Sequence, residues 1–243
     1  MGVDVSGLDF LLKFKGKLKG DTLQLGRQKI HIPRDKNDHR RKLADAVLAN
    51  YDKNATMESF FIPSGYSDSL FFYLGSSNVL ALDASHFEGA DIIQDLNRPV
   101  DETLHARFDT IFDGGTIEHV FDVPVALQNV KRMLRVGGLF LSANAANNQV
   151  GHGFYQFSPE LMWRVFSAEA GFKVELMQLV NVAGPPAPID TPDPAVAGKR
   201  MEIGVTKGPT YLLVAARKIA QVDAGPLPQQ SDYSRIWAGG GGH

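Results

Sequence analysis

The stretch "FDTIFDGGTIEHVFDVPVALQNVKRMLRVGGLFLSA" at 108–143 contains the pattern that decides the fold. It opens with a short apolar run that ends in Asp113 and is followed by two glycines. An amphipathic helix is predicted next, over 124–138, because it begins at a proline and ends at a Gly-Gly pair. The apolar run at 139–145 is predicted to be a strand. A strand, a helix and a strand in this order predict a unit of parallel β-sheet.

The same alternation of strand-like and helix-like periods extends through most of the chain. Further strands are predicted at 59–62, 78–85, 90–97, 173–180 and 210–218. Further helices are predicted at 37–51, 68–75 and 158–172. The order favours an α/β protein with a doubly wound, mostly parallel, seven-stranded sheet that is covered by helices on both faces.

The sequence predicts a single domain over 1–237. Residues 1–53 are predicted to form an N-terminal extension made of a hairpin and a helix, with "TLQLGRQKIHIP" at 22–33 as the hairpin. The proline-rich segment 183–198 is predicted to be irregular. The ending at 238–243 has the composition of a linker into a purification tag.

Composition excludes several classes of function. The chain has 243 residues and no cysteine, which excludes disulfides, thiolate metal sites and a cysteine nucleophile. A net charge of −2 argues against general nucleic-acid binding. No apolar run approaches the roughly 20 residues of a membrane span. We therefore expect a cytoplasmic protein with a small-molecule substrate and no membrane partner, and the oligomeric state is not indicated.

Three consecutive predicted strands end in or near an aspartate: Asp83, Asp95 and Asp113. In doubly wound sheets, ligands bind outside the carboxyl ends of the strands. A carboxylate at Asp83 can accept hydrogen bonds from ribose hydroxyls, and one at Asp95 can accept from an adenine amino group while Leu96 packs on the base. Gly114 lets a ligand approach the backbone beside Asp113. For each aspartate, a role in ending a turn remains open.

At these residues the chain resembles the class I S-adenosylmethionine-dependent methyltransferases. The stretch 108–143 is similar to their fourth and fifth motifs, and "NVLALDAS" at 78–85 resembles the second, whose acid holds the ribose. "ADIIQDLN" at 90–97 resembles the third, and "SPELMWRVFSAEAGFKVE" at 158–175 the helix and strand that follow. The resemblance covers roughly residues 58 to 180 and implies a Rossmann-like methyltransferase fold with S-adenosylmethionine as cofactor. The implied cofactor contacts are Ser64, Gly65, Asp83, Ala84, Ser85, Asp95, Leu96, Asp113 and Gly114.

The first motif departs from the family pattern of a strand and a Gly-x-Gly-x-Gly turn. Gly65 lies 18 residues before Asp83, close to the roughly 20 residues expected, whereas Gly26 lies 57 residues before it. "SFFIPSG" at 59–65 is therefore assigned to the first motif, with Ser64 and Gly65 as the cofactor contacts. An ordinary strand-to-helix turn is the alternative.

The chemistry of the acceptor is assigned to two polar segments. Glu118 and His119 follow the fourth motif, and His119 is the best candidate for a general base because the pKa of a free histidine lies near neutrality. His152 in "NAANNQVGHGFYQFSPE" at 144–160 is a second base, with Tyr155 and Gln156 as acceptor contacts. Either segment could instead satisfy its own backbone. The spacing of these acids and histidines matches no metal-ligand motif, so no metal is predicted.

The leading hypothesis is methyl transfer from S-adenosylmethionine to an oxygen or nitrogen of a small, hydroxylated or carbohydrate-type substrate. One alternative is a methyltransferase-like protein that has lost the reaction and acts as a nucleotide-binding or scaffolding protein. Another is a non-methylating enzyme on the same fold that uses His119 and His152 for acid–base chemistry.

Overall fold

A computed structural model describes residues 2–202, 206–222 and 227–238. Its strands are β1 (Gly2–Val3), β2 (Asp21–Leu25), β3 (Lys29–Ile30), β4 (Asn78–Asp83), β5 (Ile92–Ile93), β6 (Phe108–Asp113), β7 (Leu134–Asn147), β8 (Phe172–Asn181), β9 (Ile189–Asp190) and β10 (Thr210–Lys218). Its helices are α1 (Val5–Leu12), α2 (His39–Tyr51), α3 (Asp68–Leu74), α4 (Val123–Met133), α5 (Pro159–Val165), α6 (Pro194–Ala197) and α7 (Ser231–Ala238). The predicted linker lies outside the described residues except for Ala238.

The central sheet has the strand order β5-β4-β2-β6-β7-β10-β8-β9. The first five strands are mutually parallel, and β10 runs antiparallel to both of its neighbours, β7 and β8. The predicted doubly wound, mostly parallel sheet is confirmed. It has eight strands where seven were predicted, because the two-residue β9 pairs with β8 at one edge. β1 and β3 form a separate parallel pair.

The predicted hairpin at 22–33 is wrong, because β2 lies in the middle of the sheet between β4 and β6 and is parallel to both. The alternation of apolar and polar residues, which suggests a half-exposed hairpin strand, has a different cause. Thr22 and Gln24 are fully buried, and their polar groups bond to the hydroxyls of Ser76 at 2.7 Å and Ser67 at 3.2 Å. A central strand can carry polar residues when each one finds a partner inside.

The strand predicted at 59–62 is also wrong, because Met57–Phe60 forms a turn of 3₁₀ helix. Phe60 is buried against Tyr73 of α3, with the ring centroids 5.0 Å apart. A short apolar run cannot distinguish a buried strand from a buried helical turn. The turn therefore packs beneath α3 and contributes nothing to the sheet.

A hydrophobic core lies on each face of the sheet. One face packs against α4 and α5, where Val130 and Met133 are fully buried. The other packs against α1, α2 and α3, and Leu8, Phe10 and Leu11 of α1 are fully buried there. The residues predicted to be an N-terminal extension thus supply a central strand and part of a core.

The remaining predicted helices are confirmed within shorter bounds. α2 begins after Asp38, whose carboxylate accepts from the Arg40 amide, and α5 begins after Ser158. α4 ends at Met133 because β7 starts immediately, so the Gly-Gly pair lies inside a strand. The proline-rich segment 183–198 is partly regular, since it contains β9 and α6. Among the described residues, no helix is long and apolar enough to cross a membrane.

Candidate functional site

The register of the sheet brings several predicted site residues to one edge. Leu25 at the end of β2 is level with Leu82 of β4 and with Asp113 of β6, and Asp113 is level with Ser142 of β7. The carboxyl ends of these four parallel strands therefore meet. Because β10 is antiparallel, its first residues reach the same edge, where Tyr211 is level with Ala145.

The turn that follows the first strand of this sheet is formed by Gly26. Its φ is +65°, and a Cβ placed on it would lie 2.8 Å from the Thr116 hydroxyl oxygen. Thr116 Oγ1 in turn donates to the Leu25 carbonyl at 2.5 Å. Both the backbone angle and the close approach require glycine. Gly26 therefore occupies the turn after the first strand of the sheet, whereas "SFFIPSG" at 59–65 follows no strand of that sheet. The cofactor contacts of Ser64 and Gly65 remain predictions. The spacing from Asp83 did not indicate Gly26, because α2 and α3 lie between these two residues in the chain.

Ser64 and Gly65 lie beside β3 and not at the end of β2. The Ile30 amide donates to the Gly65 carbonyl at 3.0 Å, and the Ser67 amide donates to the Gln28 carbonyl at 2.9 Å. The Ser64 hydroxyl accepts from the Tyr66 amide at 3.4 Å. Gly65 has a positive φ of +78°, but no atom lies within 4 Å of a Cβ built there.

Buried polar atoms without partners are concentrated at the turn after β2. Among the described residues six buried side-chain atoms lack a hydrogen bond, and four of them surround this turn: Gln24 Nε2, Arg27 Nε, Gln28 Oε1 and Asp68 Oδ2. Buried polar groups in proteins are nearly always paired. The Arg27 guanidinium also lies against the Tyr66 ring and pairs with Asp68 at 3.4 Å. A ligand that carries both a donor and an acceptor would supply partners for these atoms.

Asp83, Ala84 and Ser85 lie at the end of β4, with Ala84 and Ser85 exposed. Among the described residues, the Asp83 carboxylate accepts one bond, from the Ser85 amide at 3.3 Å, so most of its acceptor capacity is available to a ligand. The Asp95 carboxylate is bonded by the backbone and side chain of Asn97, which lowers its pKa. Leu96 is 5% exposed and packs in the core, and the contact of its side chain with a base remains a prediction.

Asp113 and Glu118 form a buried pair of carboxylates. Asp113 is 0% exposed and accepts from the amides of Thr116 at 2.8 Å and Ile117 at 3.3 Å. The Asn144 side-chain amide donates to both acids, at 2.8 Å to Asp113 Oδ2 and 2.7 Å to Glu118 Oε2. Burial raises the pKa of Asp113, with a further contribution from the Glu118 carboxylate, and burial also raises the pKa of Glu118. Asp113 therefore fixes the turn after β6 from inside.

His119 and His152 meet Glu118 at the surface end of this pair. The two imidazole rings have centroids 5.2 Å apart, and His152 Nε2 lies 3.8 Å from Glu118 Oε1. The loop after β7 is held there because the Glu118 carbonyl accepts from the amides of Phe154 at 2.8 Å and Tyr155 at 3.2 Å. Burial lowers the pKa of His119, and the neighbouring His152 adds to the effect.

Tyr155 and Gln156 use polar groups within their own loop region. The Tyr155 hydroxyl donates to the Phe121 carbonyl at 2.8 Å, and its ring stacks on Phe157. Gln156 Oε1 accepts from the Gln149 amide at 3.0 Å. These contacts favour the alternative in which the two side chains order the loop that carries His152.

A cavity of about 810 Å³ opens beside this cluster, on the β7 and β10 side of the edge. Residues from the N-terminus, α2 and the loops after β6, β7 and β8 line the cavity, and Gly114 is among them. The polar lining residues include Asp4, His31, His39, Arg40, Glu118, His152 and Tyr211. Burial raises the pKa of Tyr211 to about 12, with contributions from the Asp4 and Glu118 carboxylates. The cavity lining thus combines the acids Asp4 and Glu118 with the exposed basic residues His39 and Arg40.

Sequence reasoning missed the contributions of Gly26, Asp4 and Tyr211. The alternation of apolar and polar residues before Gly26 is the available signal in the sequence, but this pattern predicts a hairpin. Asp4 is the N-cap of α1, where its carboxylate accepts from the Gly7 amide at 2.8 Å. Neither Asp4 nor Tyr211 stands in a motif, because only the packing of α1 and the antiparallel entry of β10 bring them to the cavity.

No protein-family model matches the sequence. No curated protein matches it. Among solved structures, the chain is similar to the 1,6-didemethyltoxoflavin-N1-methyltransferase of Burkholderia thailandensis, with 15% identity over 89% of this chain and 78% of that one and a TM-score of 0.50. That structure contains 1,6-didemethyltoxoflavin and S-adenosylhomocysteine. Two further structures are less similar. MccD protein has 12% identity over 87% of this chain and 95% of that one, with a TM-score of 0.48. A SAM-dependent methyltransferase of Aquifex aeolicus has 12% identity over 88% of this chain and 90% of that one, with a TM-score of 0.43.

The first of these similarities covers most of both chains, and this chain has a mostly parallel central sheet with the antiparallel strand β10. The chain has the fold of the class I S-adenosylmethionine-dependent methyltransferases.

Proposed function

We propose that this protein transfers a methyl group from S-adenosylmethionine to an oxygen or nitrogen atom of a small, hydroxylated or carbohydrate-type substrate. The observation that carries the proposal is the group of unpaired polar atoms at the turn after β2, on the same edge as Asp83. The methionine end of the cofactor carries an ammonium and a carboxylate, which are a donor and an acceptor for those atoms. The ribose hydroxyls can donate to the accessible Asp83 carboxylate.

S-adenosylmethionine supplies an electrophilic methyl group on a sulfonium sulfur. The protein has to hold the acceptor in line with that group and exclude water. A hydroxyl or amine acceptor would lose a proton in this transfer, and the proton would pass to a neighbouring side chain or to solvent. Glu118, His119 and His152 meet at the edge of the cavity, so we place the reacting atom of the acceptor beside them.

The cavity supports a hydroxylated acceptor. Its lining contains the carboxyl groups of Asp4 and Glu118 and the hydroxyl of Tyr211, which can bond to several hydroxyl groups at once. The exposed residues Arg40 and His39 suit an additional negative charge on the substrate. A volume of about 810 Å³ falls in the range of small-molecule sites.

Calorimetric titration with S-adenosylhomocysteine tests the cofactor site. We expect binding by the wild-type protein and a loss of about 1–3 kcal/mol in Asp83→Ala, because a charged acceptor for the ribose is removed. Glu102→Ala is the matched control, since Glu102 is an exposed acid in the 3₁₀ turn Glu102–Leu104 near the opposite edge of the sheet. Equal affinities in all three proteins would remove Asp83 from the site, and no binding at millimolar ligand would contradict the proposed function.

A further inference from the structure

We propose that Glu118, His119 and His152 bind a divalent transition-metal ion at the edge of the cavity. Each residue offers one ligand atom, and these atoms all lie within 4.8 Å of one another. Two ligands of a tetrahedral zinc ion, each at 2.0–2.1 Å from it, are roughly 3.3 Å apart. Glu118 Oε1 and His152 Nε2 are already 3.8 Å apart, and both histidine side chains are exposed enough to close the remaining distance.

A cation at this position would offset the two buried acids, Glu118 and Asp113. Glu118 and Asp113 are both buried, and the neutral Asn144 amide donates to both. Within the ranges that the structure describes, no lysine or arginine pairs with either carboxylate. Buried carboxylates are normally paired with a cation or coordinate a metal. Asn144 binds Glu118 Oε2, which leaves Oε1 directed toward His152.

The cluster is held in place by the backbone around it. Gly153 packs so closely that a Cβ on it would lie 2.8 Å from the Glu118 carbonyl oxygen. That oxygen also accepts from the Phe154 and Tyr155 amides, so the loop carrying His152 is fastened to the turn carrying Glu118 and His119. Asn144 fixes the orientation of the Glu118 carboxylate, as outer-shell partners of metal ligands commonly do. The three residues are therefore held close to one another before any ion binds.

The donor set indicates the class of ion. Two imidazoles and one carboxylate suit zinc, iron, cobalt or nickel, whereas magnesium prefers oxygen ligands. Three protein ligands leave coordination positions open, as in catalytic zinc sites. Glu118 and His152 line the cavity, so an open position faces it. On the proposed function, an acceptor hydroxyl bound there would lose its proton to solvent more readily and gain a fixed orientation.

Calorimetric titration of chelator-treated protein with zinc chloride tests the site directly. We expect one ion per chain for the wild-type protein and at least about tenfold weaker binding for His152→Ala, because one of three ligands is lost. His105→Ala is the matched control, since it removes an exposed histidine near the amino end of β6, at the opposite edge of the sheet. His105→Ala should bind zinc as the wild type does.

Glu118→Gln provides a second variant that keeps the size of the side chain, and its circular dichroism spectrum shows whether it folds. Titration of wild-type protein with cobalt(II), followed by visible absorption, should give bands that are absent in His152→Ala. No zinc binding by the wild-type protein, or undiminished binding by His152→Ala, would overturn the proposal. The same samples are titrated with S-adenosylhomocysteine. If the protein binds S-adenosylhomocysteine but not zinc, the metal site is contradicted and the proposed function stands. If it binds zinc but not S-adenosylhomocysteine, the metal site is supported and the proposed function is contradicted.

Discussion

Gly26 shows how one glycine can form the turn after a central strand without the usual glycine-rich sequence. Its backbone has a φ of +65°, and its missing side chain leaves room for Thr116, whose hydroxyl oxygen would lie 2.8 Å from a Cβ. Thr116 in turn holds the carbonyl of Leu25 at the end of β2. A side chain at Gly26 would therefore disturb both the turn and the neighbouring loop after β6.

Gly26→Ala and Gly65→Ala separate the two candidate positions of the first motif. Both replace a glycine with positive φ, but only the Gly26 variant introduces a close contact, since nothing lies within 4 Å of a Cβ at Gly65. We expect Gly26→Ala to lower the affinity for S-adenosylhomocysteine at least about tenfold, equivalent to about 1.4 kcal/mol. Gly65→Ala should show only the cost of backbone strain in stability. Calorimetry and thermal unfolding measure the two effects, and a larger loss of affinity in Gly65→Ala would contradict the placement at Gly26.

At the scale of elements, α2 forms a wall of the cavity and is fastened by a buried arginine. The Arg41 side chain is 2% exposed, and its guanidinium pairs with Asp45 at 3.0 Å and with Glu58 at 2.7 Å. Glu58 lies in the 3₁₀ turn Met57–Phe60, so the pair attaches that turn to α2. Hydrogen bonding to Arg41 lowers the pKa of Glu58 to about 2.

Glu58→Gln should therefore destabilise the protein in a pH-dependent way. A carboxyl whose pKa is lower in the folded state stabilises that state above its unfolded pKa, and the contribution disappears as the pH falls through the folded value. With an ordinary pKa of 4.5 and a folded pKa of about 2, the melting temperature of Glu58→Gln should be below that of the wild type at pH 7. The difference should shrink as the pH falls from 4.5 toward 2. Thermal unfolding across this range measures it, with Glu102→Gln as the control, and a constant difference would contradict the explanation.

At the scale of the whole molecule, the N-terminal residues belong to the domain and do not form an appendage. β2 lies between β4 and β6, and α1 covers one face of the sheet. Phe10 in α1 is 0% exposed and packs against Phe14, with the ring centroids 5.6 Å apart. The same segment brings Asp4 to the cavity, so the core and the acceptor site depend on one packing arrangement.

Phe10→Ala should reduce the free energy of unfolding by about 3–5 kcal/mol, since a fully buried aromatic ring is lost and a cavity remains. Phe87→Ala removes the same side chain from a position that is 92% exposed, and its effect should stay within about 0.5 kcal/mol. Urea denaturation of both variants makes the comparison. Equal stability of the two variants would contradict the role of α1 in the core.

The positions of Asp83 and Asp113 at the ends of strands could be predicted from the sequence. Asp83 and Asp113 were placed at strand ends because apolar runs of strand length lead directly into them, and their strands are found. The first motif could not be predicted in this way. Its strand carries Thr22 and Gln24 at buried positions, and its distance from Asp83 is 57 residues because other elements intervene.

By itself, the sequence determined the class of fold and the acids at the ends of its central strands, because hydrophobic periodicity and turn residues are local properties of the chain. Tertiary structure alone decided which glycine follows the first strand of the central sheet and which polar residues face the cavity. Glu118 and His152 are 34 residues apart in the chain, with no spacing typical of a metal site, yet the loop after β7 brings them to 3.8 Å. Such proximity depends on strand order and loop docking, which join residues that no local pattern connects.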